Sequence, residues 1–113
     1  MQNHQQRIVA VSEKIETGTY IIAKKGEADF FKKGDRGICL GKYLGSSNRV
    51  PHYVFVFENG GYTDLTRGEA NHFFTYQDSR SSKLENYQFK RLTQVADDVA
   101  KGMFNDVWCD ALN

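Results

Sequence analysis

The stretch that decides the fold is His52-Tyr-Val-Phe-Val-Phe-Glu58, which continues through Asn59-Gly60-Gly61 into Tyr62-Thr-Asp-Leu65. Aromatic and β-branched residues on both sides of a glycine-rich turn predict a β-hairpin. Asn-Gly is the preferred pair in a type I′ turn, because both central positions of that turn take a positive φ angle. We therefore expect two antiparallel strands that are joined by a type I′ turn at Asn59 and Gly60.

The first strand of this hairpin is apolar on both faces. Because successive side chains of a strand point to opposite sides, Tyr53, Phe55 and Phe57 share one face. Val54 and Val56 share the other face. An antiparallel sheet usually leaves one face to water. The second face must therefore be covered by the rest of the chain, by a second copy or by a partner.

Further short strands are predicted on both sides of the hairpin. They are rich in β-branched and aromatic residues and are separated by polar loops that contain glycine. About five short strands with tight turns and no long helix between them predict a small barrel or sandwich. The additional predicted strands are residues 18–23, 36–44, 73–77 and 87–92, and a single helical turn is predicted at 66–71.

The hydrophobic period changes near the end of the chain. Apolar residues recur there at steps of three and four, which predicts an amphipathic helix over residues 93–111 with Thr93 as its N-cap. Gly102 is a weak point that costs about 1 kcal/mol relative to alanine and could kink the helix. The apolar stripe of this helix either covers the sheet of its own chain or forms a protein interface. The candidate interface residues are Val99, Met103, Phe104 and Trp108.

Composition places the chain among ordinary intracellular domains. Its length of 113 residues predicts one domain over 1–113, with residues 1–6 loose. Its net charge of +1 gives no general argument for nucleic-acid affinity. Its two cysteines, Cys39 and Cys109, lack the spacing of a disulfide framework or a zinc site. The sequence contains neither a signal peptide nor an apolar stretch of about 20 residues. We expect a cytoplasmic protein that makes no contact with a membrane.

The order of the predicted elements resembles an SH3-like barrel. The stretch Phe31-Lys-Lys-Gly-Asp-Arg-Gly-Ile38 is similar to the Lys-Gly-Asp segment that leads into a strand in KOW-like and Tudor-like members of this superfamily. The resemblance covers about residues 18–77. It implies a small barrel with a long first loop at 24–35 and a second at 45–52. We expect this barrel to span 18–92, with the C-terminal helix, which lies outside the resemblance, packed on it.

Motifs of catalysis are missing from the sequence. There is no phosphate-binding loop, no GxSxG and no HExxH motif, and the histidines are His4, His52 and His72. A metal site would have to combine His52, His72 and Asp64, and a nucleophilic site would have to pair Cys39 with one of these histidines. We therefore expect no metal, no cofactor and no catalytic residue. A small enzyme is the third of three hypotheses.

The first long loop is the best candidate for a binding surface. It combines cations with aromatic rings, which is the composition of a surface that contacts phosphates and stacks on bases. Two alternatives stay open, because Glu27, Asp29 and Asp35 reduce the charge of the loop: a solvated loop with a structural plug, or a protein-binding groove. The candidate nucleic-acid-binding residues are Lys24, Lys25, Phe30, Phe31, Lys32, Lys33, Arg36, Arg49 and Tyr53, with His52, Arg80 and Lys83 as an extension if the loops converge.

Two functional hypotheses follow from these surfaces. The first is a non-catalytic accessory or regulatory module that contacts nucleic acid through the loop. The second is a protein-interaction or inhibitor module, of the kind that phages encode, which binds a host protein through its aromatic groove or its C-terminal helix. The protein would be a monomer, or a homodimer that forms through that helix.

Overall fold

The computed structural model describes residues 15–27, 29–44 and 50–108. Within these ranges the protein is mainly β, with a short helix before the last strand and another near the C-terminus. The elements in chain order are β1 (Thr19–Ala23), β2 (Arg36–Leu44), β3 (Pro51–Phe57), β4 (Tyr62–Thr66), α1 (Arg67–Phe73), β5 (Phe74–Arg80), a 3-10 turn (Ser82–Leu84) and α2 (Leu92–Ala100).

The five strands form one antiparallel sheet in the order β4-β3-β2-β1-β5. The last strand therefore returns to lie beside the first. Over the described ranges β4 and β5 do not pair with each other, so hydrogen bonds do not close the sheet into the expected barrel. The prediction of a mainly β, antiparallel fold with a helix packed on it is confirmed.

Strand β3 is buried on both of its faces, as its sequence predicts. Residues 53–57 are all buried. Phe55 and Phe57 belong to a cluster that we call the inner core, where Phe55 packs edge-on against Phe74 with 4.9 Å between ring centres. Because all five strands contribute to it, this cluster joins the two ends of the sheet. Its buried members are Ile15, Ile21, Ala23, Phe31, Cys39, Tyr53, Phe55, Phe57, Leu65, Ala70 and Phe74.

The C-terminal part of the chain covers the opposite face of the sheet. Val54 and Val56 lie there in a second cluster, which we call the outer core. The Tyr20 hydroxyl donates a hydrogen bond to the Val107 carbonyl and ties the end of the chain to β1. The cover that β3 requires is therefore supplied by the same chain. The buried members of the outer core are Tyr20, Ile38, Leu40, Val54, Val56, Leu84, Val95, Phe104, Val107 and Trp108.

The hairpin between β3 and β4 is present, but its predicted type I′ turn is wrong. The Gly60 N–H donates to the Phe57 carbonyl at 2.9 Å, and the Phe57 N–H donates to the Gly61 carbonyl at 2.8 Å. The loop therefore has three residues and ends with Gly60 at a φ of +97°. This is a type I turn followed by a glycine bulge. The pairing of Val56 with Tyr62 sets this loop length, and that register comes from burial of the strands.

The C-terminal helix ends earlier than its sequence period predicts. Helix α2 stops at Ala100, and Gly102 follows with a left-handed φ of +79°. The Gly102 N–H donates to the Val99 carbonyl at 3.0 Å and the Met103 N–H to the Asp98 carbonyl at 3.1 Å, which is a Schellman motif. The prediction of one helix over 93–111 is therefore wrong, and residues 109–111 lie outside the described ranges. The turn redirects the chain so that residues 104–108 reach the sheet.

Two further predictions near this helix are also wrong. Arg91, and not Thr93, occupies the N-cap position, and it makes no side-chain capping hydrogen bond. Residues 87–92 do not form a strand. Their alternating pattern arises because Tyr87 and Phe89 pack against the outer core from an irregular segment. The Tyr87 hydroxyl donates to Asp98 Oδ2 at 2.8 Å; burial, and then this contact, raise the pKa of Tyr87.

The helical turn before β5 forms as predicted. Helix α1 begins at Thr66, whose side chain accepts a hydrogen bond from the Glu69 N–H while Glu69 accepts one from the Thr66 N–H. This capping box is a local sequence signal, which explains why the position could be predicted. In the described part of the chain, no helix is long and apolar enough to cross a membrane.

Candidate nucleic-acid interface

Residues 24–27 and 29–35, which lie between β1 and β2, form two arms that we call the basic loop. At its base the Gly34 N–H donates to the Ala23 carbonyl at 2.8 Å, and the Ala23 N–H donates to the Asp35 carbonyl at 2.9 Å. Nearer the tip, Glu27 and Phe31 form an antiparallel bridge. These hydrogen bonds divide the loop into two paired arms with residues 29 and 30 at the tip.

The two adjacent phenylalanines of the basic loop have opposite roles. Phe31 is 2% exposed and lies in the inner core, where its ring stacks on Phe57 with 5.0 Å between centres. Phe30 is 52% exposed, and none of the described aromatic rings pairs with it. Phe31 is thus a structural plug that fixes the loop to the sheet. Phe30 leaves its ring open to solvent.

Four lysines lie on the arms of the basic loop. Lys24 and Lys25 belong to the first arm, Lys32 and Lys33 to the second, and all four are exposed. None of them forms an ion pair with a carboxylate of the described residues. The Lys25 Nζ lies 3.4 Å from Nε2 of His72, at the end of α1. These side chains are therefore available to an anion.

Three carboxylates share the basic loop with these lysines, but one of them is used by the loop itself. Asp35 Oδ2 accepts a hydrogen bond from the Lys32 N–H at 2.8 Å and another from the Asn59 side chain at 3.3 Å. Asp35 therefore holds the turn of the second arm and its contact with the β3–β4 turn. Glu27 and Asp29 are the remaining carboxylates. The positive surface is therefore local and small.

Arg36, a predicted phosphate contact, is engaged within the protein. Its Nε and Nη2 atoms donate to the two carboxylate oxygens of Glu58 at 2.9 and 2.6 Å. The hydrogen bond to Arg36 lowers the pKa of Glu58, and the same bond raises the pKa of Arg36. The Arg36 guanidinium also lies 5.8 Å from the ring centre of Trp108. It therefore joins β2 to the hairpin and to the C-terminal segment, and we omit it from the interface.

The other predicted contacts do not extend the basic loop. Tyr53 is 5% exposed and belongs to the inner core, so its ring cannot stack on a base. Arg80 pairs with Glu16, and Lys83 pairs with Asp106, each at 3.3 Å. Arg49 lies outside the described residues. The structure thus reduces the candidate surface to Lys24, Lys25, Phe30, Lys32 and Lys33.

The sequence analysis combined His52 and Asp64 only in a metal site with His72, whereas the structure places them in a polar cluster with Tyr43 on strands β2, β3 and β4. Asp64 Oδ2 accepts a hydrogen bond from the Tyr43 hydroxyl at 2.7 Å and lies 3.2 Å from Nδ1 of His52. Burial, then the contact with Asp64, raises the pKa of Tyr43 to about 12. His72 instead lies beside Lys25, and no three described His, Cys, Asp or Glu side chains form a metal-binding group. Alternation along the hairpin strands was the signal that could have paired His52 with Asp64.

The Cys39 thiol does not provide a nucleophile. Cys39 is fully buried in the inner core, and burial raises the pKa of its thiol to about 12. Its Sγ lies 3.8 Å from the Gly41 carbonyl oxygen. Because the thiolate is the reactive form of cysteine, burial in the inner core disfavours reaction of this side chain.

The apolar stripe at the C-terminus is used mostly within the chain. Phe104 and Trp108 are buried, with Trp108 8% exposed, and Val99 is half-buried against the outer core. Met103 is 46% exposed and is the most accessible of the four predicted interface residues. A dimer or partner interface along this stripe would therefore have to compete with the contacts that hold the segment on its own sheet.

Comparison with protein-family models, with curated proteins and with solved structures finds no match to this chain. The functional argument therefore rests on the geometry of the basic loop.

Proposed function

We propose that this protein is a non-catalytic accessory or regulatory module of the cytoplasm that binds nucleic acid through the basic loop. The observation that carries the proposal is a set of four exposed lysines on the two arms that lead to the exposed Phe30, none of which pairs with a carboxylate of the described residues. Lysine ammonium groups contact phosphates without regard to sequence, and an exposed ring offers a stacking surface. The buried, unpaired Cys39 thiol suits a reducing compartment.

The proposal includes an SH3-like small barrel as the fold. Two observations support it: the strand order β4-β3-β2-β1-β5, and the short helix α1 between β4 and β5. The inner core, which contains side chains from β1, β2, β3, β4 and β5, supports a strongly curved sheet. In such a sheet the basic loop lies at one end, where its lysines are free to approach a backbone of phosphates.

A protein-interaction module is the alternative, and its predicted surfaces are weaker. The aromatic-groove version draws on Phe30, Phe31 and Tyr53, of which Phe31 and Tyr53 are buried and Phe30 is exposed. The stripe version needs Trp108, which is buried as well. Tightly buried aromatic rings cannot serve as interface anchors without local unfolding. This comparison favours the nucleic-acid hypothesis.

Binding to labelled oligonucleotides at several salt concentrations tests the proposal. Four lysines that each replace one counterion give a log–log salt slope of about −2.8 on single strands and about −3.6 on duplex. The double substitution Lys32→Glu and Lys33→Glu is expected to abolish binding measured by fluorescence anisotropy. The matched control is Lys90→Glu with Arg91→Glu, which makes the same charge change at two exposed residues before α2.

The control separates a local effect from a change in overall charge. Binding that survives Lys32→Glu and Lys33→Glu would show that the basic loop is the wrong surface. Equal losses in both double variants would show that total charge, and not this loop, governs binding. Thermal melts of both variants check that they remain folded.

A further inference from the structure

The exposed ring at the tip of the basic loop specifies the form of the nucleic acid. We propose that the basic loop binds single-stranded nucleic acid, an inference that rests on the proposed function. One unpaired base stacks on Phe30, and the lysines of the two arms hold neighbouring phosphates. The ligand class follows from three features: the fixed position of Phe30, the placement of the lysines and the accessibility of base faces.

Phe30 is held in place by its backbone and by its neighbour. Its N–H donates to the Glu27 carbonyl at 2.9 Å, and the Glu27 N–H donates to the Phe31 carbonyl at 3.0 Å. The Phe31 ring, wedged between Phe57 and Phe74 in the inner core, fixes the next residue of the chain. The exposed Phe30 ring is therefore presented on an ordered backbone, which reduces the entropy lost when a base stacks on it.

The lysines lie behind this ring on paired arms. The bridge between Glu27 and Phe31 pairs the two arms near the tip, and Lys25 on the first arm and Lys33 on the second each lie two residues from a bridged position. At about 3.3 Å per residue, Lys33 lies up to about 10 Å along the arm from Phe30. Phosphates bound by the lysines therefore belong to nucleotides beside the stacked one. A single strand can bend to satisfy both contacts.

Duplex offers no free base face to Phe30. Each base within a duplex is already stacked on its neighbours, so a ring can enter only by separating a base step. Proteins that insert such a wedge recover the cost through the extra surface that bent duplex brings into contact. The basic loop has four lysines against Glu27, Asp29 and Asp35. This small surface offers little to offset unstacking, whereas an unpaired base stacks without that cost.

Affinity measurements with matched single-stranded and duplex oligonucleotides test this inference. Phe30→Ala is expected to weaken binding of a labelled single-stranded DNA of mixed sequence by about 5- to 150-fold, the range of one base–aromatic stack. Its salt slope should stay near that of the unmodified protein, because no lysine is lost. Phe30→Tyr should retain the affinity. The matched control is Leu44→Ala, which removes another exposed apolar side chain and is expected to change nothing.

The outcomes distinguish this inference from the proposed function. Binding that depends on Lys32 and Lys33 but is equal for single strand and duplex, or is unchanged in Phe30→Ala, overturns the single-strand inference alone. Tighter binding of duplex that is lost in Phe30→Ala would identify a wedge and would overturn it too. If the unmodified protein binds neither form, both proposals fail. Because Phe30 is exposed, its variants are expected to melt within 2–3 °C of the unmodified protein, roughly the scale of surface substitutions.

Discussion

Replacing Trp108 by alanine should destabilise the protein strongly, although the residue lies almost at the end of the chain. Trp108 packs in the outer core against the Tyr20 ring, with 6.2 Å between ring centres, and beneath the Arg36 guanidinium. Truncation of a buried tryptophan costs about 3–5 kcal/mol in free energy of unfolding. That is a large part of the total of about 5–15 kcal/mol for a small domain.

Thermal unfolding followed by circular dichroism measures this loss. For a chain of this size, each kcal/mol shifts the melting temperature by about 4 °C, so Trp108→Ala should lower it by about 12–20 °C. Urea unfolding at 25 °C gives the free-energy difference independently. Met103→Ala is the matched control: Met103 belongs to the same stripe but is largely exposed, so its truncation should cost less than about 1 kcal/mol.

The comparison of the two variants can refute the packing argument. If Trp108→Ala melted within 2–3 °C of the unmodified protein, roughly the effect of a surface substitution, the tryptophan would not be part of the core. The C-terminal stripe would then be free for a partner or for a second copy. The protein-interaction hypothesis would regain its main surface.

Two further predictions concern the end of α2 and the ion pair on β2. Gly102→Ala places a side chain at a φ of +79° and should lower the free energy of unfolding by about 1–2 kcal/mol. Gly68→Ala, within α1, should instead raise it by up to about 1 kcal/mol. Equal melting temperatures of the two variants would contradict the Schellman assignment. The pKa of Glu58 is lower in the folded protein than its ordinary value of 4.5, so its stabilising contribution is complete above that pH and is lost as the pH falls through the folded pKa. Because the pair is exposed to solvent, the effect is about 0.2–1 kcal/mol. Glu58→Gln should flatten this part of the stability curve in acid titrations, and parallel curves for both proteins would rule out the contribution.

Local patterns predicted the elements whose signals lie within a few residues. Strand β2 has the predicted bounds of 36–44, because it contains a short apolar run, Ile38 to Leu40, and polar loops flank it. The capping box around Thr66 marks helix α1 in the same way. Of the two cysteines, Cys39 is free and buried, and Cys109 lies outside the described residues.

The site was predicted less completely, because exposure is not a local property. Phe30 and Phe31 are neighbours of the same type, yet one is presented to solvent and the other fills the inner core. Composition grouped Arg36 with the lysines. In the structure Arg36, at the start of β2, pairs with Glu58, which follows β3 and lies 22 positions further along the chain. A sequence lists these cations together and does not show which of them already have a partner.

The sequence by itself determined a mainly β domain that contains the β3–β4 hairpin, because strand patterns and turn residues are encoded in adjacent positions. It also established that β3 needs cover on both faces. Only the tertiary structure decided what supplies that cover, where α2 ends and which ring of the basic loop stays exposed. These outcomes depend on contacts between residues far apart in the chain, such as Tyr20 with Val107. Their free energies arise from burial and pairing that exist only once the sheet has formed.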